Sequence, residues 1–284
     1  MLEQIADFSS TPDQEFVFSC YGVVIVIRCH DKGLLAEATS RLRAALLDRI
    51  EVIDKRSSSS TEHCFTIGSY DGYYYYSGPG TEGSAKNSKV VVLNFLESMV
   101  RVTVAEHAVG RVFIHCGVVA RNGLALLFPG DSYSGKSTLV AELVRNGAVY
   151  YSDEYAVLDK NGLVHSFPRL IGMREAGGYE QTDVSVESLG GVAGSEAIPV
   201  GMVLITEYKE RAAWDPVTLA SGKGILEIIP HTISVRVNTE FALGVLNKVV
   251  SSAIVVKGER PDVKDFAKIL LNFFDNRLNY VNMA

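Results

Sequence analysis

The sequence predicts an α/β chain, α+β overall. A small α+β N-terminal domain is expected over residues 1–85 and a larger α/β domain over residues 86–284. Three observations carry this expectation. Residues 124–154 read as strand, glycine loop, helix and strand; β-rich runs alternate with helical patterns on both sides; and residues 77–87 (SGPGTEGSAKN) have the composition of a linker.

The central stretch justifies the larger domain. Residues 124–128 form a short apolar run between Asn122-Gly123 and Pro129-Gly130, and its length and flanks favour a buried strand. Gly130-Asp131-Ser132-Tyr133-Ser134-Gly135-Lys136-Ser137 then fits the phosphate-loop pattern G-x-x-x-x-G-K-S/T. Leu139, Val140, Leu143 and Val144 follow at helical spacing, with Gly147 where a helix would stop. Gly130 and Gly135 let successive N–H groups curl into one concavity, and the start of the helix adds positive potential there. Lys136 is expected to reach the outer phosphates and the Ser137 hydroxyl to ligate Mg²⁺. The expected nucleotide-binding set is Gly130, Asp131, Ser132, Tyr133, Ser134, Gly135, Lys136, Ser137 and Thr138. The bland reading is a glycine turn ahead of a surface helix.

Residues 148–151 read as a strand closing on Ser152-Asp153-Glu154. A right-handed crossover through the helix would lay this strand parallel to residues 124–128, so that both end on the same edge of the sheet. Asp153 then lies beside the loop, where a carboxylate can hold Mg²⁺ or accept a proton from an attacking hydroxyl. Elsewhere in the chain an Asp-Glu pair would read as a solvated turn.

Composition bounds the function. The chain has 284 residues, 47% hydrophobic and 21% charged, with a net charge of −6. That balance offers no basic surplus for a nucleic-acid partner. No apolar run reaches membrane-spanning length and the first residues lack a signal-like core, so a cytoplasmic protein with no membrane partner is expected. Cys20, Cys29, Cys64 and Cys116 form no C-x-x-C pair and are expected to be reduced, mostly buried thiols.

The remaining elements follow in order. Residues 15–29 are β-rich with a break at Gly22, and residues 34–47 are helical by spacing. Residues 57–60 read as a loop; residues 64–67 and 73–76 pair around a turn at 69–72. The tyrosine run in the second of these suits a half-buried strand better than a stacking platform, since alternate rings face opposite ways. Residues 88–109 are expected to be a helix crossing into the second unit. Residues 111–119 form a strand carrying His115, which alone reads as a core histidine, with a turn at Asn122-Gly123. A hairpin follows across residues 159–162. Arg169 and Arg174 remain open between phosphate clamps and surface cations. Residues 175–197 read as a mobile loop or lid, and residues 200–206 as a buried strand. Residues 224–229, 240–250 and 261–274 read as helices, with a strand at 253–256. His231, after Pro230, reads as structural.

From His115 to Glu154 the chain resembles the catalytic domain of HPr kinase/phosphorylase and its stand-alone kinase relatives. The shared order is a histidine, a short hairpin, G-D-S-G-x-G-K-S/T, a helix ending in glycine, and a strand closing on an acidic pair. This sequence offers His115, the 130–137 loop, Gly147 and Asp153-Glu154 in that order. The resemblance implies a mixed sheet like the phosphoenolpyruvate carboxykinase core. It also implies Lys136 on the phosphates, Ser137, Asp153 and Glu154 toward Mg²⁺, Asp153 as base, and His115 near the transferred group. Tyr133 replaces a loop glycine and Glu154 the second Asp of the pattern. The glycine-arginine signature tied to the reverse, phosphorylase reaction is not found after residue 170, which points to acceptors other than HPr. Family relatives are often oligomers, so a homo-oligomer is admitted.

The function expected is an ATP- and Mg²⁺-dependent kinase acting on a hydroxyl of a peptide or small molecule, with Asp153, Lys136 and His115 as catalytic residues. A nucleotide-dependent switch or ATPase with water as acceptor is the second reading. A nucleotide-binding scaffold without turnover is the third.

Overall fold

The computed structural model describes residues 14–53, 62–174 and 181–281. The chain divides into two compact units, Met1–Val109 and Gly110–Ala284.

In the first unit, β1 (Gln14–Cys20) and β2 (Val23–Cys29) form a hairpin across Tyr21-Gly22, both at positive φ as a primed turn requires. Helix α1 (Lys32–Ala45) starts at Asp31, whose Oδ1 accepts hydrogen bonds from the N–H groups of Gly33 (2.8 Å) and Leu34 (3.1 Å). Next come β3 (Glu51–Val52), β4 (Glu62–Tyr70), β5 (Tyr73–Gly78), β6 (Thr81–Lys86) and α2 (Lys89–His107). The sheet order is β3-β1-β2-β4-β5-β6, with β2 and β4 parallel. Phe18, Ile25, Ile27, Leu42, Phe65 and Tyr76 meet Leu96 and Val100 of α2 in one core.

Two expectations fail here. Residues 77–87 are not a linker: the turn at Gly80 (φ 73°) sends Thr81–Lys86 back along β5, and Thr81 Oγ1 both accepts from Gly78 N–H and donates to Gly78 O at 3.0 Å. A polar edge strand needs little apolar surface, so its composition imitates a linker. The division also falls at Val109–Gly110 instead of near residue 85, because α2 buries Val92, Leu93, Leu96, Val100 and Val104 in the first unit's core. The loop expected at 57–60 lies outside the described residues. Tyr75 and Tyr76 are buried and Tyr73 is exposed. All four cysteines are free.

The second unit opens with the hairpin of β7 (Arg111–Arg121) and β8 (Leu124–Pro129), turned at Asn122-Gly123. Then follow α3 (Lys136–Arg145), β9 (Val149–Ser152), β10 (Tyr155–Asp159), β11 (Val164–His165), β12 (Ile171–Arg174), β13 (Gln181–Val184), β14 (Val200–Tyr208) and β15 (Val217–Thr218). Helices α4 (Ser221–Ile228) and α5 (Thr239–Ser252), strand β16 (Ile254–Arg260) and helix α6 (Val263–Val281) complete the unit. The main sheet runs β11-β10-β7-β8-β14-β16-β15, and β9 also pairs with β7. It is mixed: β7 opposes its neighbours, while β8, β14 and β16 are parallel.

Alternation along the strands sorts the sheet into two buried faces. Leu126, Phe128, Met202, Leu204 and Val256 pack under α3 and α6. Ala125, Leu127, Val203 and Val255 pack under α4 and α5. Strands β8 and β9 flank β7 from opposite edges, both antiparallel to it. They therefore run the same way, as expected, with β7 between them, and both close on the edge where α3 begins.

The lid expectation divides. Residues 175–180 lie outside the described residues. From Gln181 the chain is held: β13 pairs with β12, Tyr150 N–H donates to Val192 O (2.9 Å), and Gly194 N–H donates to Tyr150 O (2.8 Å). Gly191 and Gly194 lie against Val144 and Tyr151, so these glycines serve close packing. Among the described residues no helix is long and apolar enough to cross a membrane.

Candidate functional site

Strand β8 delivers the chain to the loop at Pro129, and α3 starts at Lys136 behind Gly135, which sits at φ 83°. At the loop's base the Gly130 N–H donates to His115 O (3.4 Å), and across it the Ser134 N–H donates to Asp131 O (3.2 Å). Tyr133 takes φ 68° and is 82% exposed, so a tyrosine occupies a left-handed position that favours glycine. Beneath the loop, Gly117 of β7 makes room for α3: a Cβ there would lie 2.7 Å from Val140 Cγ2 and 3.7 Å from Lys136 Cβ.

Lys136 curls back over the loop. Its Nζ donates to Gly130 O (2.9 Å) and Asp131 O (2.7 Å). Burial lowers its pKa from the usual lysine value, and the charges of Asp131, Asp153 and Glu154 oppose that shift. An anion in the loop would meet an ammonium that already faces it and is only partly solvated. Ser137 and Thr138 occupy the first turn of α3, both half-buried, while Asp131, Ser132 and Ser134 are exposed on the loop.

The acidic pair sits at the bend between β9 and β10, where Ser152 Oγ accepts from the N–H groups of Glu154 (3.1 Å) and Tyr155 (3.0 Å). Ser137, in the first turn of α3, is near enough to the Asp153 carboxylate to favour its charged form. That carboxylate also meets Tyr150 Oη (3.0 Å) and accepts from Gly172 N–H (3.3 Å). Desolvation raises its pKa above the ordinary carboxylate value, partly offset by Tyr150, Ser137 and Gly172. Glu154 turns away to Arg169, with Oε2 2.5 Å from Nη1. Of the two open arginines, Arg169 is thus placed at the acidic pair; Arg174 lies in β12.

His115 lies on β7 where it passes the loop. Burial, then the neighbouring Lys136 charge, pushes its pKa down to about 4, so it is a neutral imidazole at ordinary pH. Two residues that the sequence reading left aside join the site. His231, in the turn after α4, places Nδ1 3.4 Å from Asp131 Oδ1. Arg260, at the end of β16 and 6% exposed, donates from Nη2 to Ser134 O at 2.8 Å. Neither belongs to a motif. The one signal for Arg260 is its place at the carboxyl end of a parallel strand, the edge where open α/β sheets bind ligands.

The donor set suits a hard cation. Among the described residues no group of three or more His, Cys, Asp or Glu side chains converges as a metal site. The Ser137 hydroxyl and Asp153 carboxylate offer two oxygens, which fits Mg²⁺, an ion that keeps water and takes phosphate oxygens for its remaining positions.

By sequence, no family model and no curated protein matches the chain. By structure, the chain is similar to the HPr(Ser) kinase/phosphatase from Coxiella burnetii, with a TM-score of 0.33 and 14% identity, over 60% of this chain and 95% of that one. That is a distant structural relationship.

Proposed function

We propose that the second unit is an ATP- and Mg²⁺-dependent phosphotransferase that moves the γ-phosphoryl group to a hydroxyl of a peptide or small molecule. The observation that carries this reading is the half-buried Asp153, with Ser137 beside it, at a glycine loop over which Lys136 closes.

The loop N–H groups and Lys136 bind the phosphates and hold the γ-group toward Asp153. When bound, Mg²⁺ would neutralise phosphate charge, with Ser137 and Asp153 as its protein ligands. Asp153 takes the proton of the acceptor hydroxyl; its burial makes it a stronger base than a solvated carboxylate. Glu154 is held by Arg169, so its contribution to the metal is a charge beside the site rather than a free ligand. His115 stays uncharged and serves as a hydrogen-bonding group beside the loop.

Incubation with γ-labelled ATP and fractionated cell extract tests the reaction class. Label entering a peptide or small-molecule fraction supports the proposal. Steady ADP production with no labelled acceptor moves the assignment to a hydrolase, and ATP binding without ADP production moves it to a scaffold.

A further inference from the structure

The two sides of the loop differ in chemistry. The acidic pair, Arg169 and His115 all lie on the β7, β9 and β10 side of β8. On the other side stand β14 and β16, and both overrun the loop's base. The register of β14 on β8 sets Val203 beside Leu127, which brings Pro129 level with Ile205. β14 continues to Tyr208 and β16 to Arg260, about 10 Å further along the strand direction.

Tyr208 and Arg260 are register partners in a parallel pair, so their side chains leave the same face. Met202, Leu204 and Val256, at alternate positions before them, pack under α3, which makes it the loop's face. The Arg260 guanidinium lies 5.6 Å from the Tyr208 ring centroid while Nη2 holds Ser134 O. One arginine head therefore ties the ring to the loop. Tyr208 is nevertheless 56% exposed, so the guanidinium backs an aromatic ring that still offers surface.

A triphosphate across the loop with its γ end at Ser137 and Asp153 must leave by the opposite side. We infer that Tyr208, backed by Arg260, is the platform on which the purine base of the bound nucleoside triphosphate stacks. This rests on the phosphotransferase reading for the direction of the phosphate chain. Stacking grows stronger with the ring area it covers, so the platform favours purines over the smaller pyrimidines.

Calorimetric titration of the full chain with MgATP, MgCTP and magnesium tripolyphosphate tests the inference. In Tyr208→Ala, ATP affinity should fall roughly tenfold while tripolyphosphate affinity stays unchanged, and Tyr208→Phe should bind ATP like the unaltered protein. The unaltered protein should also prefer ATP to CTP, and Tyr208→Ala should narrow that preference. Equal loss of ATP and tripolyphosphate would mean Tyr208 acts only by holding Arg260 and the loop, and would overturn the platform. Unchanged ATP affinity in Tyr208→Ala would overturn it as well. If the unaltered protein bound neither ATP nor tripolyphosphate, the phosphotransferase reading itself would fall.

Discussion

Tyr150 Oη lies 3.0 Å from Asp153 Oδ1 and 2.9 Å from the carbonyl oxygen of Arg169. The carbonyl can only accept, and a hydroxyl has one proton. Either Tyr150 divides its proton between two acceptors, or Asp153 carries a proton of its own. Both arrangements tie the protonation of the proposed base to this tyrosine. Tyr150→Phe removes a hydrogen bond that holds the Asp153 pKa down, so the carboxylate should protonate at higher pH. The acid limb of the pH–rate profile for ATP turnover should move upward. A limb that stays in place would show that Tyr150 only packs.

His115 gives a stability prediction of definite sign. Its pKa falls from 6.5 to about 4 in the folded chain, so between those values the unfolded chain binds more protons. Stability is therefore lost as pH falls through this window, by up to about 3 kcal/mol, and is restored as pH rises above it. Urea unfolding at several pH values should show a shallower loss for His115→Gln than for the unaltered chain over pH 6.5 to 4.

Arg260 braces the loop by a contact that lysine cannot reproduce, since a point charge cannot span the Ser134 carbonyl and the Tyr208 ring together. Arg260→Lys and Arg260→Ala should each cost about 1–3 kcal/mol in urea unfolding and weaken tripolyphosphate binding. Unchanged binding in both would remove Arg260 from the site.

Gly117 is required by approach, not by backbone conformation. Gly117→Ala puts a methyl 2.7 Å from Val140 Cγ2, inside contact distance, at the start of the helix that carries Lys136 and Ser137. Overpacking of this kind costs about 1–3 kcal/mol. The variant should melt lower and bind tripolyphosphate less tightly, and thermal melts with and without tripolyphosphate separate the two effects.

The loop, its strand and its helix were legible because their pattern is local: Gly130, Gly135, Lys136 and Ser137 fall within one short stretch of chain between β8 and α3. Asp153 was legible one step further, from strand direction alone. The intervening β7 was not, because pairing partners are set by packing and not by sequence neighbours. His231 and Arg260 could not be found from sequence, since they reach the loop only through the β8-β14-β16 order and the turn after α4. Residues 77–87 misled because an edge strand of small polar residues and a linker share one composition. The helix at 89–107 was foreseen but assigned to the wrong unit; periodicity shows that a face is buried, not which core receives it.

The most direct test of the central claim compares label transfer from γ-labelled MgATP by the unaltered protein and by Asp153→Asn, with MgATP affinity measured alongside. The account predicts that Asp153→Asn still binds ATP but transfers label at least roughly a hundredfold more slowly. Transfer by Asp153→Asn at the unaltered rate would contradict it.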